Sequence, residues 1–182
     1  MKAKIIMCKA QGWEAITQVF NGQGLLLLAT QIVTLSRYTH TFVLFKHKKT
    51  WFKIEALMDG IKLSKLSNDT YTNHISSLVQ NNFYDLFEKE VLPNKYQKDI
   101  LKKCDDMISF ETNQRTIGKY SFINLLNQLP LKLFNKTFVK ITKKQQMICS
   151  ETVHYFCSGS LESYRIAPVD IVVNDDSYKR IS

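Results

Sequence analysis

His40-Thr-Phe-Val-Leu-Phe-Lys-His-Lys-Lys-Thr-Trp-Phe-Lys-Ile-Glu-Ala-Leu57 is the segment on which the reading of this chain turns. Residues 40–46 and 51–57 are dense in aromatic and aliphatic side chains, and the polar stretch His47-Lys-Lys-Thr50 separates them, so a β-hairpin is predicted. If the loop closes over Lys48 and Lys49, His47 pairs with Thr50, Phe42 lies opposite Glu55, and His40 lies opposite Leu57. Positions 40, 42, 55 and 57 then share one face, with His40 and Glu55 as diagonal neighbours within reach of long side chains. A four-residue loop keeps that register, whereas a three-residue loop would turn Glu55 to the other face.

A carboxylate in an otherwise apolar strand is thus offered to an imidazole that needs an acceptor. That is the base-and-orienter half of an activated nucleophile. The blander alternative is a structural histidine beside a core strand, with Glu55 as a solvated residue or a partner for Lys53.

The nucleophile candidate is Cys149, which heads the segment Cys149-Ser-Glu-Thr-Val-His-Tyr-Phe-Cys157. A helix predicted to begin there and stop at Ser158-Gly159 would aim its unpaired amides and positive end at the thiol, favouring a thiolate. Thr152, Val153 and Phe156 follow in helical phase and form an apolar face that anchors the helix in the core. A buried structural cysteine is the competing reading. His154 stands five positions on, about 140° around the helix, and faces away from the thiol. His47 belongs to the turn, and His74 lies among polar residues. Cys8, Cys104 and Cys157 have no comparable setting. No cysteine pair stands at zinc-ligand spacing with the histidines and no glycine-rich phosphate loop occurs, so neither metal nor cofactor is expected.

The 182 residues fit one domain over positions 1–182, and 45% hydrophobic side chains supply a core. A net charge of +9 favours anionic surroundings such as an anionic polymer or lipid surface. Only four of the basic side chains are arginine (Arg37, Arg115, Arg165 and Arg180), which argues against sequence-specific nucleic-acid recognition. Four cysteines do not make a disulfide framework in a chain of this length, so free thiols in a reducing, cytoplasmic compartment are expected. The opening Met1-Lys-Ala-Lys-Ile-Ile-Met-Cys8 lacks the long apolar run and cleavage site of a signal peptide, and Leu25-Leu-Leu-Leu-Ala29 is too short to span a bilayer.

Periodicity further predicts a helix over residues 12–20, an apolar element over 25–35, two surface helices within a charged middle section at about 74–112, a helix over 121–129, and strands over 136–142 and 166–173. Strands at both ends with helices between them indicate an α+β domain.

The order of these motifs resembles one family. Thr34-Leu-Ser-Arg-Tyr-Thr-His40-Thr-Phe-Val43 resembles the "S-x-y-S/T-H-x-x-v" segment of the permuted NlpC-type, papain-like family of YiiX-like proteins. Ile54-Glu55-Ala56 is similar to that family's "v-x-E-A" strand, and Gly118-Lys-Tyr-Ser121 to its "G-x-x-Y-d/s" segment. Cys149-Ser-Glu-Thr-Val153 is similar to its "C-S-E-l/f-V" helix start, and Ala167-Pro-Val-Asp-Ile171 to its "t-P-x-D-i" ending. The resemblance spans roughly residues 22–173, with 74–112 as a poorly matching helical insert. Two departures stand out: Gly24-Leu-Leu-Leu lacks the acidic residue of the "G-d-i-i" strand, and His154 and Tyr155 replace small residues. The resemblance implies a circularly permuted papain-like fold, its antiparallel sheet packed on the nucleophile helix. It also implies Cys149 as nucleophile, His40 as general base then acid, and Glu55 as orienter. The Cys149 amide would serve as oxyanion donor, with Ser150 and Tyr38 as lesser polar contributors. The expected reaction is cleavage of a small amide or cell-wall peptide bond through a thioester acyl-enzyme. The alternatives are a lipid acyltransferase or esterase of related fold, whose "N-C-E-H-F" segment differs from Met147-Ile-Cys149-Ser-Glu, and a non-catalytic module that binds anionic polymer.

Overall fold

The computed structural model describes residues 1–9, 38–80, 84–121, 124, 134, 146–159 and 177–181. The elements expected at 12–20, 25–35, 136–142 and 166–173, and all but residues 121 and 124 of the helix at 121–129, lie outside the described residues.

The fold is α+β, and the hairpin is its centre. β2 (Tyr38–His47) and β3 (Thr50–Leu57) pair with Phe42 opposite Glu55 and His47 opposite Thr50, the register read from the sequence. Lys48 and Lys49 both adopt left-handed backbone, at φ 46° and 66°, which is the two-residue turn whose twist matches that of the strands. Lysine is poorly suited to that conformation, costing about 1–2 kcal/mol per residue. Lys49→Gly is therefore expected to stabilise the protein by about 1 kcal/mol, read as a rise of roughly 2–4 °C in Tm. An unchanged or lower Tm would show that the turn is not strained.

β4 (Gly60–Leu66) continues the meander antiparallel to β3, and β6 (Gln114–Tyr120) pairs antiparallel with β4. Gly60 is needed at the start of β4. Its φ of 131° suits no other residue, and an added Cβ would stand 2.8 Å from the Gly118 carbonyl oxygen. On the other side, β1 (Lys2–Lys9) lies between β2 and β5 (Tyr84–Glu90), antiparallel to both. β8 (Lys179–Arg180) pairs antiparallel with β5. The short β7 (Gln146–Met147) runs parallel to β6 at the far edge, beside seven strands that are antiparallel to their neighbours.

Three helices pack on this sheet among the described residues: α1 (Asn68–Gln80), α2 (Lys95–Ser109) and α3 (Cys149–Ser158). Alternation along the strands divides the core in two. Ile5, Met7, Val43, Phe45, Phe52 and Ile54 form one cluster with Ile100, Cys104 and Met107 of α2 and Val153 and Phe156 of α3. Ile6, Phe42, Leu44 and Leu86 form a second, against which Tyr71 and Ile75 of α1 pack. The rings of Phe45 and Phe156 meet at 4.9 Å, joining sheet to α3. Asn94 ties α2 to α3: its Oδ1 accepts the Gln97 amide at 2.8 Å, and its Nδ2 donates to the Phe156 carbonyl at 3.0 Å. Gly159, at φ 71°, ends α3 where the sequence places the stop.

One expectation needs correction. The section at 74–112 is not a pair of surface helices appended to the domain, because residues 84–90 form β5, paired directly with β1. Its charged residues obscure the pattern: Asp85, Leu86 and Phe87 are all buried, with Asp85 neutralised by partners elsewhere in the chain. The second helix of that pair is present as α2, whereas Leu86 and Phe87, on which the first was read, lie in β5, and α1 at Asn68–Gln80 is an element not expected from the sequence. The opening of the chain, to which no element is assigned above, is the strand β1 next to the sheet's centre, with Ala3, Ile5, Ile6 and Met7 fully buried.

Candidate active site

His40, Glu55 and Cys149 arrive from a strand, its hairpin partner and a helix start. The antiparallel ladder places Glu55 diagonal to His40 on the face shared with Phe42, and the imidazole Nε2 meets Glu55 Oε1 at 3.0 Å. The second carboxylate oxygen pairs with Lys53 Nζ at 2.6 Å. Lys53 in turn lies 5.4 Å from the centre of the Phe42 ring. Glu55 is thus held on both oxygens, which fixes its carboxylate toward the ring instead of leaving it to solvent.

Cys149 is the first residue of α3 and only 4% exposed. Its thiol is within hydrogen-bonding reach of the His40 ring. Isoleucine at position 148 has no side-chain acceptor for the first turn, and the side chain that reaches back is Glu151, whose Oε2 accepts the Ile148 amide at 2.9 Å. The first-turn amides of an α-helix point along its axis, so they are the donors that an anion beside Cys149 would meet.

The electrostatics follow from this contact set. Burial by itself disfavours the imidazolium, but the hydrogen bonds and charges of Cys149 and Glu55 outweigh it and raise the His40 pKa to about 10. Burial likewise disfavours the Glu55 carboxylate, and the hydrogen bond and charge of His40, with those of Lys53, outweigh it and lower its pKa to about 2. His40 is consequently a cation at neutral pH, held between the sulfur and a carboxylate.

A β-bulge sits beside this centre. Cys8 pairs with His40 but Lys9 pairs with Tyr38, so β2 carries one extra residue, Thr39. The bulge reverses the alternation: Tyr38 joins the core cluster of Val43 and Phe45, not that of Phe42. The Tyr38 hydroxyl donates to Asp85 Oδ2 at 2.5 Å, and Lys9 Nζ and Arg180 Nη2 each stand 2.6 Å from Asp85 Oδ1. Tyr38, read from sequence as an oxyanion contributor, has its hydroxyl bonded to Asp85 in this buried ionic cluster, and it shares a core cluster with Cys149. Ser150, the other polar candidate, is fully buried, and its hydroxyl has no partner among the described residues.

Sequence reasoning passed over Cys8. It lies directly opposite His40, and burial first, then the charges of Cys149 and Glu55, push its thiol up to about 12. Only the pairing of β1 with β2 reveals that neighbourhood. It also passed over Glu151 and Asn124, which bind each other beneath the start of α3; the only signal was a buried acid two residues after the thiol. The four described cysteines are free thiols. Among the described residues no group of three or more His, Cys, Asp or Glu side chains is placed to hold a metal ion. No described helix is long and apolar enough to cross a membrane.

No protein-family model matches this chain, and no curated protein matches its sequence.

Proposed function

We propose that the chain is a cysteine hydrolase of the permuted papain-like type, with Cys149 as nucleophile, His40 as acid and base, and Glu55 as the orienting carboxylate. The observation that carries this reading is the one imidazole bonded to Glu55 at 3.0 Å and within hydrogen-bonding reach of the Cys149 thiol. The order of histidine, carboxylate and cysteine along the chain, on two paired strands and a helix start, supports the permuted form.

The chemistry follows from the positions. The sulfur attacks the carbonyl carbon of an amide, and the developing oxyanion is met by amides at the start of α3. The His40 imidazolium gives its proton to the departing amine, leaving a thioester on Cys149 and a neutral ring. That ring then takes a proton from water, which attacks the thioester and releases the acid, and the returning proton restores the starting pair. Glu55 holds the Nε2–H tautomer and balances the cation throughout. The lysine-rich surface suits an anionic substrate or carrier such as a cell-wall polymer.

Acyl-enzyme trapping tests this directly. Brief incubation with an activated small acyl ester, followed by acid quench and peptide mass spectrometry, is expected to find the acyl group on Cys149, removable by hydroxylamine. Acylation confined to surface lysines, with an unmodified Cys149, would rule the reading out. Variation of the acceptor, water against an added amine or alcohol, separates hydrolysis from acyl transfer.

A further inference from the structure

Glu151 is an acid in surroundings that suit a carboxylate poorly. It is 1% exposed, at the third position of α3. Its Oε2 accepts the Ile148 amide at 2.9 Å and the Asn124 side-chain amide at 2.9 Å. Its Oε1 is buried and has no hydrogen-bond partner among the described residues. An anion there would keep one oxygen desolvated and uncompensated, whereas a proton on Oε1 leaves both N–H donors satisfied.

The same carboxyl belongs to a network that shapes the turn into α3. The Ser121 amide donates to the Met147 carbonyl at 3.3 Å, and the Asn124 amide donates to Ser121 Oγ at 3.2 Å. Thr152 Oγ1 donates to the Ile148 carbonyl at 2.9 Å. The Ile148 peptide is thus held on its N–H by Glu151 and on its carbonyl by Thr152, one residue before the thiol.

We propose that Glu151 is a positioning residue for Cys149, which as the neutral acid fixes the Ile148–Cys149 turn and on losing its proton sets a negative charge beside the Cys149 sulfur. The proposal rests on the reading of Cys149 as nucleophile. Burial raises the Glu151 pKa to about 7, against the opposing pull of its bonds to Asn124 and Ile148, so the change of state falls in the neutral range. The titratable groups that face this site are Cys149 on the same helix, Tyr120 on β6 and His40 across the thiol. Burial, then the charges of Cys149 and Glu151, raise the Tyr120 hydroxyl far beyond that range, so it stays neutral. His40 stays cationic to about 10. Of Glu151, Tyr120 and His40, Glu151 is therefore the one that changes charge between pH 6 and 8.5.

Two measurements test it. The carboxyl carbon resonance of Glu151 in the wild-type protein, followed by NMR, is expected to titrate near pH 7, and a midpoint near the ordinary value of about 4.3 overturns the neutral-acid state. In Asn124→Ala, which withdraws a donor from Oε2, the midpoint moves upward; a downward move or no move overturns the network. The rate of Cys149 alkylation in Glu151→Gln, divided by that of wild type, is expected to rise roughly tenfold from pH 6 to pH 8.5, because only the wild type acquires the charge. A flat ratio overturns the electrostatic role. If Glu151→Gln does not fold, the two titrations still decide the matter. An inert Cys149 in wild type would instead overturn the hydrolase reading, with the carboxyl titration standing apart from it.

Discussion

His40→Ala is expected to slow the alkylation of Cys149 by iodoacetamide at about pH 6 by roughly 100-fold, the scale of losing a positioned acid–base partner. The His40 side chain is 22% exposed near the start of β2, so its removal leaves no large internal cavity and the near-ultraviolet spectrum should persist. Undiminished alkylation in a folded variant would show that sulfur and ring are not a functional pair. The same substitution carries a pH signature in stability. His40 has its pKa raised from 6.5 to about 10, so its contribution is complete below 6.5 and lost as pH rises through 10. Glu55 has its pKa lowered from 4.5 to about 2, so its contribution is complete above 4.5 and lost as pH falls through 2. The gap in denaturation midpoint between wild type and His40→Ala is therefore widest between pH 4.5 and 6.5.

Phe156→Ala is expected to cost about 3–5 kcal/mol, the loss typical of emptying a fully buried aromatic site. Phe156 is 0% exposed and meets Phe45 of β2 at 4.9 Å, and its carbonyl accepts Asn94 from the start of α2. Native stability is typically only about 5–15 kcal/mol, so a loss of this size leaves α3 weakly held. Urea denaturation gives the number, and alkylation of Cys149 gives the consequence, since its contact with His40 depends on where α3 lies. A cost below about 1 kcal/mol would mean that α3 is not seated on β2 as described.

How far the candidate site was legible depended on the distance over which each contact acts. His40 and Glu55 belong to one hairpin, and a strand alternates with period two, so choosing the Lys48–Lys49 turn already set their juxtaposition. Cys149 at a helix start and Gly159 at its end were likewise local readings, because caps and glycine stops act within one turn. The strand at Tyr84–Glu90 was not legible. Its buried Asp85 looks like a surface charge until Lys9, Tyr38 and Arg180 close on it from other strands.

The sequence by itself thus determined the hairpin, its register, the imidazole–carboxylate pair and the helix that begins at the thiol. The tertiary structure alone decided that β1 and β5 complete the sheet, that Thr39 is bulged, that Tyr38 turns to Asp85, and that α3 brings Cys149 to His40. The physical reason is that turns, caps and alternation are written in neighbouring residues. Pairing between distant strands, and the neutralisation of a buried charge, depend on partners that no local pattern names.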